Sequence, residues 1–344
     1  MNTSKNVKKF ITLLVVSLLF SRILVGKLSA NILSGFYAKL QFESIRRELI
    51  INSLIESISI IIYFVVVAII ICFIPCFLKR NSTNSSPELP VKKACNLNTW
   101  YSYFCVYYTM MWIGNLITTL IESIEKPEVL ADYLLGYYTG LKGLTDAISS
   151  STSYMQEEGW RVILFSAILT PLLINIVYRK MIMDRLFKYS AGVAVLVPGI
   201  VIALMTLYSF KITDWRYLNW QLAIDLLRVL GGMIVSVYLA YIYLCTRKAF
   251  MIISLQATAV LIQVLNETYW GVNLWVQMDE LTGYLIAWGI NAIWGIAEII
   301  LLINGIYGII LARTEMKNII TKDDRKIVFR NFIYIVAIVF ILYN

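Results

Sequence analysis

The sequence contains no histidine, and only 15% of its 344 residues are charged. The absence of histidine removes the commonest zinc ligand and the commonest general base. In a soluble domain of this length about a quarter of the residues are charged, so the composition excludes the class of soluble proteins. The five cysteines form no Cys-x-x-Cys pair, and small buried apolar residues are the favoured interpretation of them. We therefore predict no bound metal and no cofactor.

Long apolar runs account for the low fraction of charged residues. Hydrophobic residues make up 59% of the chain, and several runs exceed the roughly 20 residues that cross a bilayer as a helix. The sequence therefore predicts an all-α, polytopic transmembrane helical bundle with about nine spans. The stretch 281–311 is one tilted helix or a broken pair, and the count takes it as one. The predicted spans are 10–26, 54–78, 100–121, 160–182, 193–210, 222–244, 250–265, 281–311 and 327–342.

The distribution of charge predicts the orientation of these spans. The net charge is +9, and the basic residues are spread over several short loops, which argues against nucleic-acid binding. Cytoplasmic loops are enriched in Lys and Arg, so we expect the N-terminus inside and the C-terminus outside. The acidic stretches 122–158 and 267–280 then lie outside, and a KDDRK loop at 322–326 lies inside, ahead of the last span.

Three regions are predicted along the chain. Residues 1–158 form an N-terminal membrane region with three spans, a cytoplasmic linker at 80–98 and the external segment 122–158. Residues 159–268 form a central core, and 269–344 hold the C-terminal spans. Within the first region, apolar residues recur every four positions over 28–48. This spacing fits a helix on the membrane surface, with an ordinary connecting loop as the alternative.

The segment PLLINIVYRK, Pro171 to Lys180, resembles the signature helix of the CPBP intramembrane glutamic proteases. This family includes the type II CAAX prenyl endopeptidases and bacteriocin-immunity proteins, and its helix reads Pro-x-x-Glu-Glu-x-x-Phe-Arg. Pro171, Tyr178 and Arg179 keep that frame. Ile174 and Asn175 stand where the family has its two catalytic glutamates.

Two later motifs of the family have counterparts at matching spacing in this sequence, but the most specific residues of each motif are replaced. Tyr208 stands near the place of the first histidine. The spacing from Thr246 to Gln256 equals the family's spacing from threonine to the second histidine. Gln256 therefore replaces that histidine, and Val260 replaces the asparagine that follows it. The resemblance implies that Ile174, Asn175, Tyr208 and Gln256 converge as the relic of the family's cavity.

The resemblance implies a non-catalytic member, similar in kind to the lysostaphin-resistance protein branch, in a bacterial plasma membrane. Such a protein acts as a scaffold or regulator of a membrane or cell-envelope partner. Sensor kinases, envelope enzymes and bacteriocin-immunity targets are the candidates. Two alternatives stay open, namely a transporter or channel and an active intramembrane protease with rearranged catalytic residues.

Four ionisable residues fall inside predicted spans, where such groups are candidates for function. Glu298 lies in the middle of 281–311 and is the candidate base for a rearranged protease. A structural role for it, paired with Asn175, Gln256, Gln263 or an arginine, is favoured. Asp225 and Arg228 are three residues apart on one helical face and are expected to pair. Arg22 interrupts the first run, and its partner is left open.

Overall fold

The computed structural model describes residues 7–14, 16–18, 58, 61–74, 93–125, 168–209, 220–264 and 280–330. Every element of regular structure in these ranges is helical, which confirms the all-α class. Several sequence predictions lie outside the described residues. These are Arg22, the segment 28–48, residues 80–92 of the linker and residues 126–158 of the external segment.

The described helices follow the predicted apolar runs. A π-helix, Asn175–Met181, connects two short helices, and together they form the Pro171–Lys180 region. Residues 7–14 and 16–18 are helical, and the helices after them are α1 (Ile61–Phe73), α2 (Leu97–Glu125), α3 (Thr170–Ile174), α4 (Ile182–Leu186), α5 (Ala191–Ser209), α6 (Trp220–Thr246), α7 (Ala249–Val264), α8 (Glu280–Ile319) and α9 (322–330).

Three of the described helices are long and apolar enough to cross a membrane. They contain the stretches Leu97–Ile124, Ile224–Thr246 and Ala292–Ile319. The last of these belongs to α8, which runs unbroken for 40 residues. One helix rather than a broken pair therefore occupies 281–311. The total of nine spans and the orientation stay predictions.

The KDDRK segment ahead of the last predicted span is helical, because α9 covers it from residue 322. Thr321 precedes the helix, and its hydroxyl accepts a hydrogen bond from the backbone N–H of Asp324 at 3.1 Å. The Asp324 carboxylate accepts in return from the Thr321 backbone N–H at 3.0 Å and from its hydroxyl at 2.7 Å. This reciprocal cap starts a helix at residue 322, and the inside location of the segment stays a prediction.

The described residues divide into two compact units. The first unit contains the N-terminal residues, α1, residues 173–197 and residues from 320 onward. In this unit, Ser190 caps α5, since its hydroxyl accepts from the Val193 backbone N–H at 3.3 Å. The same hydroxyl donates to Asp324 at 2.6 Å. The buried Asp324 carboxylate therefore links the start of α5, through Ser190, to the start of α9.

The second unit contains residues 90–172 and 198–319 and is organised around the contact between α2 and α8. Gly305 lies against the Thr109 side chain and the Cys105 carbonyl oxygen, and Gly308 lies against the Val106 side chain. Glycine brings the two backbones close, as small residues do at helix interfaces in membranes. The α2–α8 interface therefore depends on the absence of side chains at two positions of α8.

A polar clip joins three chain segments at one end of the second unit. The Lys93 ammonium contacts both oxygens of Glu315 on α8, at 2.9 and 2.7 Å. The Tyr241 hydroxyl on α6 donates to the same carboxylate. The Lys93 backbone N–H donates to the Cys245 carbonyl oxygen at 3.0 Å, near the end of α6. The clip holds the residues ahead of α2 against α6 and α8.

The cysteines only partly follow the prediction that they are buried. Cys105 and Cys245 are buried inside the second unit, as small apolar residues are. Cys72 and Cys95 are exposed. Cys72 accepts a contact at 3.3 Å from the Arg185 guanidinium, so its thiol lies beside a charged group rather than in an apolar core.

Candidate functional site

The Pro171–Lys180 segment folds as a helix whose central part is π-helical. The change from α to π geometry falls at Asn175, where the family has its second glutamate. Single π turns inside α-helices occur frequently at functional sites. The segment buries Asn175, Val177, Tyr178 and Arg179 together, so its polar residues face the protein interior.

Asn175 and Arg179 form a buried pair on this segment. Asn175 is 0% exposed and Arg179 only 2% exposed. The Arg179 guanidinium donates to the Asn175 side-chain oxygen, four residues earlier. A buried guanidinium is costly unless it is hydrogen-bonded, and the amide oxygen supplies one acceptor. The amide provides neither a negative charge nor a base, because its nitrogen does not accept protons at neutral pH.

Tyr178 connects the same segment to α1. Its hydroxyl lies 2.6 Å from the Tyr63 hydroxyl, and the pair is buried. The ring of Phe64 packs on the Tyr178 ring with the centroids 5.3 Å apart. The family has phenylalanine in this frame, and the added hydroxyl of Tyr178 is used for a contact with α1. No sequence pattern pointed to Tyr63, which lies 115 residues away.

The other predicted site residues are distributed between the two units. Ile174 is half-buried beside Asn175 in the first unit, whereas Tyr208, Gln256 and Val260 belong to the second. Tyr208 lies in the last turn of α5, and its side chain falls outside the described part of the chain. Convergence of these residues in one cavity therefore stays a prediction.

Helix α7 carries the third family motif and is held by α2. The indole N–H of Trp100 donates to the Ser254 hydroxyl at 2.9 Å. Gln256 lies two residues further on, which is about 200° around an α-helix, so it faces away from this contact. Val260 is four residues after Gln256 and shares its face. Gln256 and Val260, the predicted replacements of the family's histidine and asparagine, thus lie on one side of α7, opposite Ser254.

Three of the four predicted intramembrane polar residues contact a polar partner in the described part of the chain. The Glu298 side chain is 4% exposed, and its carboxylate accepts a hydrogen bond from the Tyr108 hydroxyl at 2.6 Å. Tyr108 on α2 was not among the partners expected for Glu298. Asp225 and Arg228 lie 3.6 Å apart, which confirms the pairing expected from their spacing.

The turn between α6 and α7 departs from the family's glycine. The family reads Thr-Gly-Ser-Leu here, and Arg247 follows Thr246 in this chain. Arg247 has a φ of 58°, in the left-handed region that favours glycine. Its backbone N–H donates to the Tyr243 carbonyl oxygen at 2.8 Å, which closes α6. Arg247 therefore adopts a backbone conformation that glycine reaches without a Cβ penalty.

We expect Arg247→Gly to be more stable than Arg247→Ala by about 1 kcal/mol, because only alanine has a Cβ that opposes a left-handed backbone. Both variants remove the same side-chain contacts, so their difference isolates the backbone effect. Thermal unfolding of the two purified variants in one detergent measures it. Equal stability of the two variants would contradict a left-handed residue 247.

Apolar helices long enough to cross a bilayer, with polar side chains buried among them, place the chain among helical membrane proteins. Residues 156–262 match the family model described as type II CAAX prenyl endopeptidase Rce1-like. The match confirms the resemblance drawn from Pro171, Arg179 and Thr246, and it covers less than half of the chain. No curated protein and no solved structure matches this chain.

Proposed function

We propose that this chain is a multi-pass membrane protein that uses an Rce1-like core to bind a partner and does not cut peptide bonds. The observation that carries the proposal is the buried Asn175–Arg179 pair. Where the family's frame has a glutamate, the arginine bonds a neutral amide. Ile174, in the other glutamate position, has no polar atom on its side chain.

Hydrolysis in this family needs a carboxylate to take a proton from water, and donors directed at the developing oxyanion. Asn175 bonds water without accepting its proton. Gln256 retains a donor that suits a carbonyl oxygen, so a peptide or helix is able to bind without being cut. The proposed partner is a membrane or cell-envelope protein, contacted through membrane faces and the predicted external segments 28–48 and 122–158.

We expect the purified full-length protein to leave a prenylated CAAX peptide intact, and the Ile174→Glu/Asn175→Glu variant to do the same. Two carboxylates restore the base, but Tyr208 and Gln256 do not replace the histidines. Mass spectrometry of the peptide after incubation measures cleavage, with an active family member as the positive control. Cleavage by the wild-type protein that Glu298→Gln abolishes would establish a rearranged protease instead.

A second candidate function follows from Glu298. A carboxyl group buried in a candidate membrane span, and hydrogen-bonded by Tyr108, favours binding of a solute within the second unit. Glu298→Gln and Tyr108→Phe distinguish this function from scaffolding. Loss of the cellular phenotype at unchanged protein level and partner binding would support a transporter, whereas an intact phenotype would support the scaffold.

A further inference from the structure

Helix α9 presents a basic face outward from the first unit. Its buried side holds Asp324, which is 7% exposed, and Val328, which is fully buried. The outward residues recur at the spacing of one helical face, so the helix is amphipathic over its whole described length. The exposed residues on this face are Lys322, Arg325, Lys326, Phe329 and Arg330.

The acidic residues of α9 leave this basic face largely uncompensated. Asp324 is directed inward, where Ser190 and Thr321 donate to its carboxylate. Asp323 is the other acid of this helix and is exposed at the edge of the basic face. Four cations therefore share one helical face with a single exposed carboxylate beside them.

Helix α9 lies where the last predicted span begins. That span was predicted over 327–342, so it starts within α9, and the residues after Arg330 are almost entirely apolar up to Tyr343. Clusters of four or more Lys and Arg next to a membrane span are typical of sites for anionic lipids. Phe329 is 42% exposed among the cations, as aromatic residues are in helices that lie at the membrane interface.

We propose that the exposed face of α9 binds the anionic headgroups of membrane lipids. Arg325 and Arg330 provide planar guanidinium groups, which pair with phosphate oxygens in a bidentate manner. Lys322 and Lys326 add charge between them, and Phe329 contacts the boundary between headgroups and acyl chains. The partner is the lipid surface itself, so this binding is independent of the protein partner proposed above.

The test uses the purified full-length chain in a non-ionic detergent, titrated with phosphatidylglycerol or with phosphatidylcholine. Native mass spectrometry counts the lipids retained. We expect preferential retention of phosphatidylglycerol by the wild-type protein. The triple variant Arg325→Gln/Lys326→Gln/Arg330→Gln should weaken its apparent affinity by about tenfold or more. Asp323→Asn should strengthen it by about twofold to fivefold.

The matched control removes three exposed cations elsewhere, in Lys248→Gln/Arg313→Gln/Lys317→Gln. We expect it to change the affinity by less than about twofold, because its total charge equals that of the α9 variant but the basic face of α9 is intact. Equal losses in the two triple variants would overturn the proposal, since net charge alone would then explain binding. Equal retention of the two lipids by the wild-type protein, or tighter binding of a soluble acidic peptide than of phosphatidylglycerol, would also overturn it.

Discussion

Gly305→Ala is expected to lower the free energy of unfolding by about 2–3 kcal/mol, whereas Gly295→Ala on the same helix raises it by about 1 kcal/mol. A Cβ at residue 305 meets the Cys105 carbonyl oxygen and the Thr109 side chain. The carbonyl belongs to the backbone of α2, so the two helices have to separate. At residue 295 a Cβ meets no described atom within 4 Å, and alanine only improves helix propensity.

Thermal unfolding of both variants in one detergent, beside the wild-type protein, measures these opposite effects. Gly289→Ala is a second control, because the space around residue 289 is also open. Gly308→Ala should destabilise through Val106, but by less than Gly305→Ala, since a side-chain methyl group moves more easily than a backbone carbonyl. Similar stabilities for the residue 295 and residue 305 variants would contradict the close packing of α2 on α8.

Asp324→Ala is expected to cost about 2–4 kcal/mol, because it removes three hydrogen bonds at one buried carboxylate. It also leaves the Thr321 backbone N–H and the Ser190 hydroxyl without their recorded acceptor. The adjacent Asp323→Ala removes the same chemical group from an exposed position. Its effect should stay below about 1 kcal/mol, which is the usual size of a charge effect at a helix N-terminus.

Unfolding midpoints of the two aspartate variants provide the comparison. Asp324→Asn is informative as a third variant, because it keeps the shape and one acceptor oxygen and should recover part of the loss. If Asp323→Ala and Asp324→Ala were equally mild, the junction between the starts of α5 and α9 would not contribute to stability as described.

The apolar runs predicted the described helices well, because a helix in a bilayer needs length and continuous hydrophobicity above all. The predicted span 222–244 corresponds to the helix Trp220–Thr246, and the predicted span 250–265 corresponds to the helix Ala249–Val264. The charges of KDDRK indicated a segment between spans, and no helix was predicted there, although α9 begins at residue 322. The sequence does contain a signal for the start of this helix, because Thr321 and Asp324 have the spacing of a helix cap.

Contacts between residues that are far apart in the sequence could not be predicted from the sequence. The partners of Glu315 are Lys93 and Tyr241, which lie 222 and 74 residues away in the chain. No local pattern marks such pairs, because only tertiary packing brings them together. The pair Asp225–Arg228 was predictable because its three-residue spacing is set by the helix itself. At the candidate site, the family frame predicted a helix around Asn175 and Arg179, while the π geometry at Asn175 had no sequence signal.

Helices α2 and α8 are both longer than a bilayer requires. Their 29 and 40 residues correspond to about 43 and 60 Å, against a hydrocarbon thickness of about 30 Å. A spanning helix tilts, or thickens the lipid around it, where its apolar stretch exceeds this thickness. Close backbone contact at Gly305 couples the inclination of α2 to that of α8. We therefore expect a thinner membrane to increase the inclination of both helices together.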